Sequence, residues 1–213
     1  MEDSQLSGLT EANMISHRLS FAVALMIAAP ALAQDDAPWR DAERAVLTNH
    51  VQLTTGEQFV KAGESYFSPD GSMIIFQAVE VPEGDEAASP FYGMYVADLV
   101  RTDGRITGID DVRRVSPLGS SNTCGWFHPT KPNTVIFGTT FAEPAEPDIA
   151  GYQRGTGRYK WQFPREMTVV ECDLTKADGT AATLTPIRSD PKAYLAECSF
   201  TTDGRSVYVS NRF

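Results

Sequence analysis

Histidine and cysteine, the side chains on which most metal and nucleophilic sites are built, number only three each in this 213-residue sequence. His17 falls in an N-terminal leader, His50 in a short extended stretch, and His128 directly behind an aromatic at a turn. No Cys-x-x-Cys occurs, and no cysteine stands at ligand spacing from a histidine, so the chain-local patterns of a zinc site are missing. A Gly-x-Ser-x-Gly nucleophile elbow is missing as well. Gly155-Thr156-Gly157 is too short for a phosphate-binding loop. We therefore expect no catalytic residue, no metal and no cofactor.

Basic residues are also in short supply. Lysine and arginine total 18 against 28 acids, for a net charge of −10. A surface of that sign repels nucleic acid and anionic headgroups, so neither is an expected partner. Long apolar runs are absent too. The run Leu19–Ala29 (LSFAVALMIAA) would rise about 16 Å as a helix, roughly half a bilayer core. It follows His17 and Arg18 and precedes Ala31-Leu32-Ala33. A basic n-region, a short h-region and an A-x-A end are the parts of a signal peptide cleaved before Gln34. Residues 1–33 thus read as a leader, with translation starting at Met14 because the acidic stretch ahead of it would spoil the n-region. The expectation is an exported protein, periplasmic or secreted, with no stable membrane span after cleavage. No cysteine follows the h-region, which disfavours a lipid anchor. Residues 34–49 read as a tether or short helix.

In an oxidising compartment Cys124, Cys172 and Cys198 allow at most one internal bridge. Cys124 stands three residues before Phe127 and Cys198 two before Phe200, an offset that points them to opposite faces of a strand. Small buried side chains are the plainer reading.

What the sequence does have is a repeat. YFSPDGSMIIF (66–76) returns as WFHPTKPNTVIF (126–137) and as SFTTDGRSVYV (199–209). Each copy has an aromatic, a polar turn and an apolar strand, with Phe67, Phe127 and Phe200 in register. Pro69 at the first central turn position and Gly71 closing the turn are turn chemistry with a mechanism. The first unit, residues 64–116, has strands at Glu64–Ser68, Met73–Phe76, Phe91–Asp98 and Val112–Val115. The second, 124–188, has strands at Cys124–His128, Thr134–Thr140, Met167–Leu174 and Ala182–Ile187. The third, 197–213, offers two strands. His50–Thr54 reads as a stray fourth strand that closes another unit. Four-stranded units repeated in one direction predict an all-β fold, an incomplete β-propeller of four-stranded antiparallel blades with about two and a half blades in residues 50–213. Blades of this kind take about 40–45 residues, and a ring takes at least about four. We therefore expect a portion of a longer protein, or self-association if the chain does end at Phe213.

FSPDG (67–71) followed by an apolar strand, YVADL (95–99) and a polar strand resembles the WD-like propeller repeat of the TolB family. The blades also resemble those of prolyl-oligopeptidase and dipeptidyl-peptidase propellers. The resemblance covers about Val51–Phe213. It is weaker in the second unit, Phe127-His128-Pro129-Thr130-Lys131, and in the third, Phe200-Thr201-Thr202-Asp203-Gly204. TolB proteins carry an α/β domain before the propeller, whereas Gln34–His50 alone separates leader from propeller here, so contacts of that domain do not carry over.

Short turns (SPDG, RTDG, KADG, TTDG) fall at one end of the strands. The longer segments 55–63, 81–90, 117–123 and above all 141–165 fall at the other. The insertion FAEPAEPDIAGYQRGTGRYKWQFPR carries Tyr152, Arg154, Arg158, Tyr159 and Trp161, types that anchor interfaces on long loops. Glu64 and Glu197 stand three residues before the repeat phenylalanine, at the start of innermost strands, where they could ring a channel mouth and attract a cation or basic partner. These seven residues are the candidate binding residues. The expected function is a non-enzymatic binding or scaffold module contacting a protein or envelope component through the long-loop end. The alternative is the propeller portion of a longer enzyme, such as a prolyl-oligopeptidase-like serine peptidase. A lyase or glycosidase would require paired acids at the channel, for which Glu64 and Glu197 alone compete.

Overall fold

The computed structural model describes residues 38–145, 151–153, 158–160 and 164–212. The leader, and Arg154 and Trp161 of the insertion, lie outside the described residues. A short helix, α1 (Pro38–Glu43), leads into an all-β structure. β1 (Phe59–Phe67), β2 (Met73–Glu80), β3 (Gly93–Thr102) and β4 (Arg105–Arg114) form one antiparallel sheet in sequence order. β5 (Asn122–Phe127), β6 (Thr134–Thr139), β9 (Thr168–Asp173) and β10 (Leu184–Arg188) form a second. β11 (Ala193–Phe200) and β12 (Ser206–Arg212) pair as a third, two-stranded sheet. Within the long insertion β7 (Gly151–Gln153) and β8 (Arg158–Lys160) make a small hairpin. Among the described residues no helix is long and apolar enough to cross a membrane.

Sheet-on-sheet packing explains the unbroken apolar runs. Ile75, Met94 and Val96 on one face of the first sheet join Phe127, Val135, Phe137 and Val170 of the second in one buried cluster. The opposite face carries Ile74, Phe76, Ala78 and Tyr95, covered by Phe59, Leu53, Ile109 and Val112. Ile136 and Val169, on the far face of the second sheet, pack against Ala193, Leu195 and Cys198 of the third. A central strand such as β2 thus meets apolar neighbours on both sides and cannot alternate with polar residues. Each such side chain removed from water contributes about 1.5–3 kcal/mol. The sheets approach closely at Gly125, where an added Cβ would lie 2.4 Å from Ile75 Cδ1 and 3.0 Å from Met94 Sδ.

Hydroxyl–carboxylate caps hold the tight turns. Ser68 Oγ and Ser72 Oγ donate to Asp70 Oδ1 at 2.6 and 2.8 Å, and Ser68 Oγ also accepts from the Met73 N–H. Thr201 and Asp203 repeat the pairing in the third unit. The second unit lacks that aspartate, and His128 replaces it. Its Nδ1 accepts the N–H groups of Thr130 and Lys131 at 3.1 and 2.9 Å. His128 is thus a turn residue, packed against Phe200 with centroids 4.5 Å apart.

Several boundaries differ from the sequence reading: β2 and β3 run on to Glu80 and Thr102, and β4 starts at Arg105 rather than Val112 because it pairs with β3 from the turn onward. β1 starts at Phe59, and Glu64 sits inside it, because Phe59–Gly63 already pairs with Gln77–Glu80. β11 likewise starts at Ala193. His50–Thr54 is irregular, with no strand beside it among the described residues; Gln52 Nε2 bonds locally to the Thr54 carbonyl at 2.8 Å and Leu53 packs under the first sheet. The KADG segment belongs to a longer link that includes a 3-10 turn at Ala181–Thr183 and is no tight hairpin turn. All three cysteines are free and buried.

Two outcomes follow from these contacts. Gly125→Ala should cost about 1–3 kcal/mol by overpacking, read from the urea midpoint, and Ile75→Val in the same chain should recover part of it; full additivity of the two losses would overturn the contact. His128 is held below its ordinary pKa of 6.5 by burial and by Lys131. Its turn therefore contributes fully above about pH 6.5 and loses that contribution as pH falls through the lower folded value. Thermal melts across pH 7 to 4 should show a step in the wild type that is absent in His128→Asn, whose amide oxygen accepts without titrating.

Candidate functional site

The first strand of every unit contains an extra residue at the same position of the repeat, and β1 has a second irregularity nearer its start, between Phe59 and Lys61. Between Gly63 and Tyr66, between Thr123 and Trp126, and between Ala196 and Ser199 the strand advances three residues while its partner advances two. These are β-bulges at one and the same position of the repeat. The residue that opens each bulge is Glu64, Cys124 or Glu197, and each has positive φ, at 42°, 46° and 52°. A non-glycine residue in that region is uncommon and costs on the order of 1–2 kcal/mol. Bulges re-aim side chains, and here all three aim at one place.

Cys124 Sγ donates to Glu197 Oε2 at 2.7 Å and lies 3.3 Å from Glu64 Oε2. One ligand-type atom from each of the three residues lies within 4.8 Å of the others. Cys124 is 7% exposed while both glutamates reach solvent. Among the described residues neither glutamate has a salt-bridge partner. Burial, and then the hydrogen bond to Glu197, push the Cys124 thiol far above its ordinary pKa, so it carries its proton at neutral pH. Tyr194 Oη approaches Glu197 Oε1 at 3.4 Å, and burial followed by the Glu197 charge raises that phenol as well. Tyr66, close enough to feel the charges of the cluster, packs against Trp126 with centroids 4.4 Å apart and the rings tilted by 47°. Cys198 faces the other way into the core and donates to the Cys124 carbonyl at 3.3 Å.

Glu64 and Glu197 are thus brought together as candidates, but at mid-strand and with a thiol between them. The sequence expectation of no metal set rested on spacing along the chain. The fold instead assembles an oxygen–sulfur–oxygen set from positions 60 and 73 residues apart. Its signal was present in the sequence, since Glu64, Cys124 and Glu197 all stand three residues before the repeat phenylalanine. The spacing between the carboxylates also bears on the glycosidase idea. One oxygen of each comes within 4.8 Å of the other, with Cys124 Sγ in the same set, short of the roughly 6.5–9.5 Å of an inverting pair. In the insertion, Tyr152 pairs with Tyr159 and Gln153 with Arg158 along β7 and β8. Arg154 and Trp161 lie outside the described residues.

No protein-family model matches the chain, and a search of curated proteins returned no match.

The cost of the left-handed conformation is separable from the charge. Glu197→Ala and Glu197→Gly both delete the carboxylate, but only glycine relieves a φ of 52°. The glycine variant should unfold at higher urea, by about 0.5–1 kcal/mol after its greater unfolded-state entropy is counted; alanine matching or exceeding glycine would show that the bulge is unstrained.

Proposed function

We propose that the chain is part of a TolB-like β-propeller, exported, that serves as a non-enzymatic binding module and takes a cation where its first strands meet. One observation carries this reading: three successive repeats each adopt a strained bulge residue at the same position, and the three residues are an acid, a thiol and an acid directed at one point. Two solvent-reaching carboxylates, with no ion-pair partner among the described residues, share one buried thiol, and a cation would neutralise both charges and bond all three. Two carboxylate oxygens and one sulfur suit a borderline-soft divalent ion such as zinc. Calcium, which takes six to eight oxygens, is disfavoured. Uptake requires the Cys124 proton to leave, so affinity rises with pH. The repeated strand pairings and the first strands lying side by side support the propeller. The long-loop end, with Tyr152, Arg154, Arg158, Tyr159 and Trp161, is the surface we assign to a protein or envelope partner.

Cobalt(II) titrated into the chain should produce a thiolate-to-metal absorption band, and zinc should displace it. Cys124→Ser should abolish the band, and Glu64→Gln with Glu197→Gln should weaken binding at least tenfold. Saturating zinc at about 100 times Kd should add about 2.7 kcal/mol of stability, removed by a chelator. A missing band together with an unchanged melting temperature would sink the cation reading.

A further inference from the structure

Glu197 gives its two carboxylate oxygens to two different partners. Oε2 accepts from the Cys124 thiol at 2.7 Å, and Oε1 accepts from Tyr194 Oη at 3.4 Å. On a regular strand residues three apart point to opposite faces. The positive φ of Glu197, 52°, turns its side chain back so that the two meet. The Tyr194 ring is 5% exposed and packs with Met167 and Ala196. Burial therefore fixes the phenol, whereas the Glu197 side chain it meets is exposed.

The other two units have no phenol at this place. Lys61, three residues before Glu64, holds its ammonium over the Tyr92 ring at 4.3 Å. Ser121, three before Cys124, donates its N–H to Thr140 Oγ1 at 2.9 Å. Glu64 and Glu197 are thus equivalent in the repeat but differ in what stands behind them.

Sulfur and oxygen ligands about 2.3 and 2.0–2.2 Å from one zinc, at a tetrahedral angle, stand about 3.5 Å apart. Glu64 Oε2 already lies 3.3 Å from Cys124 Sγ. Glu197 Oε2, at 2.7 Å, has to draw back by less than about 1 Å once the thiol proton has left to water. The phenol bond is longer than the usual O–H···O length of about 2.5–3.0 Å, so it has slack to take up.

We propose that Tyr194 is the positioning residue of the cation site, a clamp on Glu197 Oε1 that leaves Oε2 alone for the ion. This inference rests on the cation reading and adds selectivity to it. An Oε1 held by the phenol does not chelate, so Glu197 binds through one oxygen, which suits a small four-coordinate ion such as zinc. A larger ion that gathers more oxygens, such as cadmium, loses that second bond.

The test compares the whole chain with its Tyr194→Phe variant, which keeps the buried ring and deletes the hydroxyl. Cobalt(II) spectra and zinc and cadmium competition are read, and melting in chelator checks that both fold. The wild type should show the thiolate-to-cobalt band together with the intense visible bands of four-coordinate cobalt. Tyr194→Phe should keep the thiolate band, since Cys124 is intact, but with weaker visible bands as Glu197 chelates. Its zinc affinity should fall about tenfold, the lower end of what a group behind a metal ligand contributes, and its cadmium affinity should fall less. In a Glu197→Ala background the same substitution should leave zinc affinity unchanged, because the phenol then has no carboxylate to hold. Equal selectivity and equal visible spectra in wild type and variant would overturn the proposal. So would a loss that persists in the Glu197→Ala background, which marks a structural role, or weak six-coordinate bands in the wild type. A wild type without the thiolate band overturns the cation reading and this inference with it; a normal wild-type band with an unaltered variant overturns this inference alone.

Discussion

An inserted residue held at positive φ, at the same position of each first strand, is the constraint on which the convergent cluster depends. A strand alternates its side chains with period two, so a strand buried on both faces has no direction left for a polar group. The bulge breaks that rule once. Gly63 and Tyr66 lie three residues apart yet occupy the same face, because the extra residue absorbs the odd step. The residues that follow the bulge return to the ladder, and the residue at the bulge is released from it. Because the repeat places this device identically in three units, the released side chains of Glu64, Cys124 and Glu197 converge instead of scattering.

The packing between units follows the same logic. Each second strand sends one set of side chains back toward the preceding unit and the alternate set forward. Ile75 goes forward from the first unit and Ile136 from the second; Val135 and Phe137 go back. The repeat phenylalanine belongs to the backward set. Phe127 has a unit to meet and is 5% exposed, whereas Phe67, in the first unit, is 58% exposed. Gly125 fits because the forward-facing Ile75 occupies the volume a side chain would need.

Much of the fold was legible in the sequence because turns and strands are local. Ser68-Pro69-Asp70-Gly71 announces its own geometry, and the unbroken MIIF run announces two-sided burial. His128 was readable as a turn residue since it occupies the place of Ser68. The convergent set is less legible in the sequence. Glu64 and Glu197 look alike and pair on that ground; Cys124 differs chemically and invites comparison with Cys198, one position out of phase. What joins the three is a backbone conformation, and a left-handed bulge leaves no compositional mark when the residue is not glycine. The strand starts at Phe59 and Ala193 were missed for a related reason: VKAGES is polar, and its pairing is decided by the strand beside it. His50–Thr54 shows the converse, an alternating stretch that stays irregular because local pattern cannot supply a neighbour.

The long excursion between β6 and β9 sets a timetable for assembly. In the first sheet residues 81–92 join the second and third strands; in the second sheet the same step spans residues 140–167, more than twice the length. Closure entropy adds roughly 0.6 kcal/mol per doubling, less whatever the β7–β8 hairpin takes up. β2 thus acquires its neighbour early, while β6 must wait for β9. Throughout that interval the edge of Val135-Ile136-Phe137, three side chains 0% exposed once folding is complete, stands open to any other chain. The longest link between paired strands is therefore also the one that prolongs the window in which this protein is prone to aggregate.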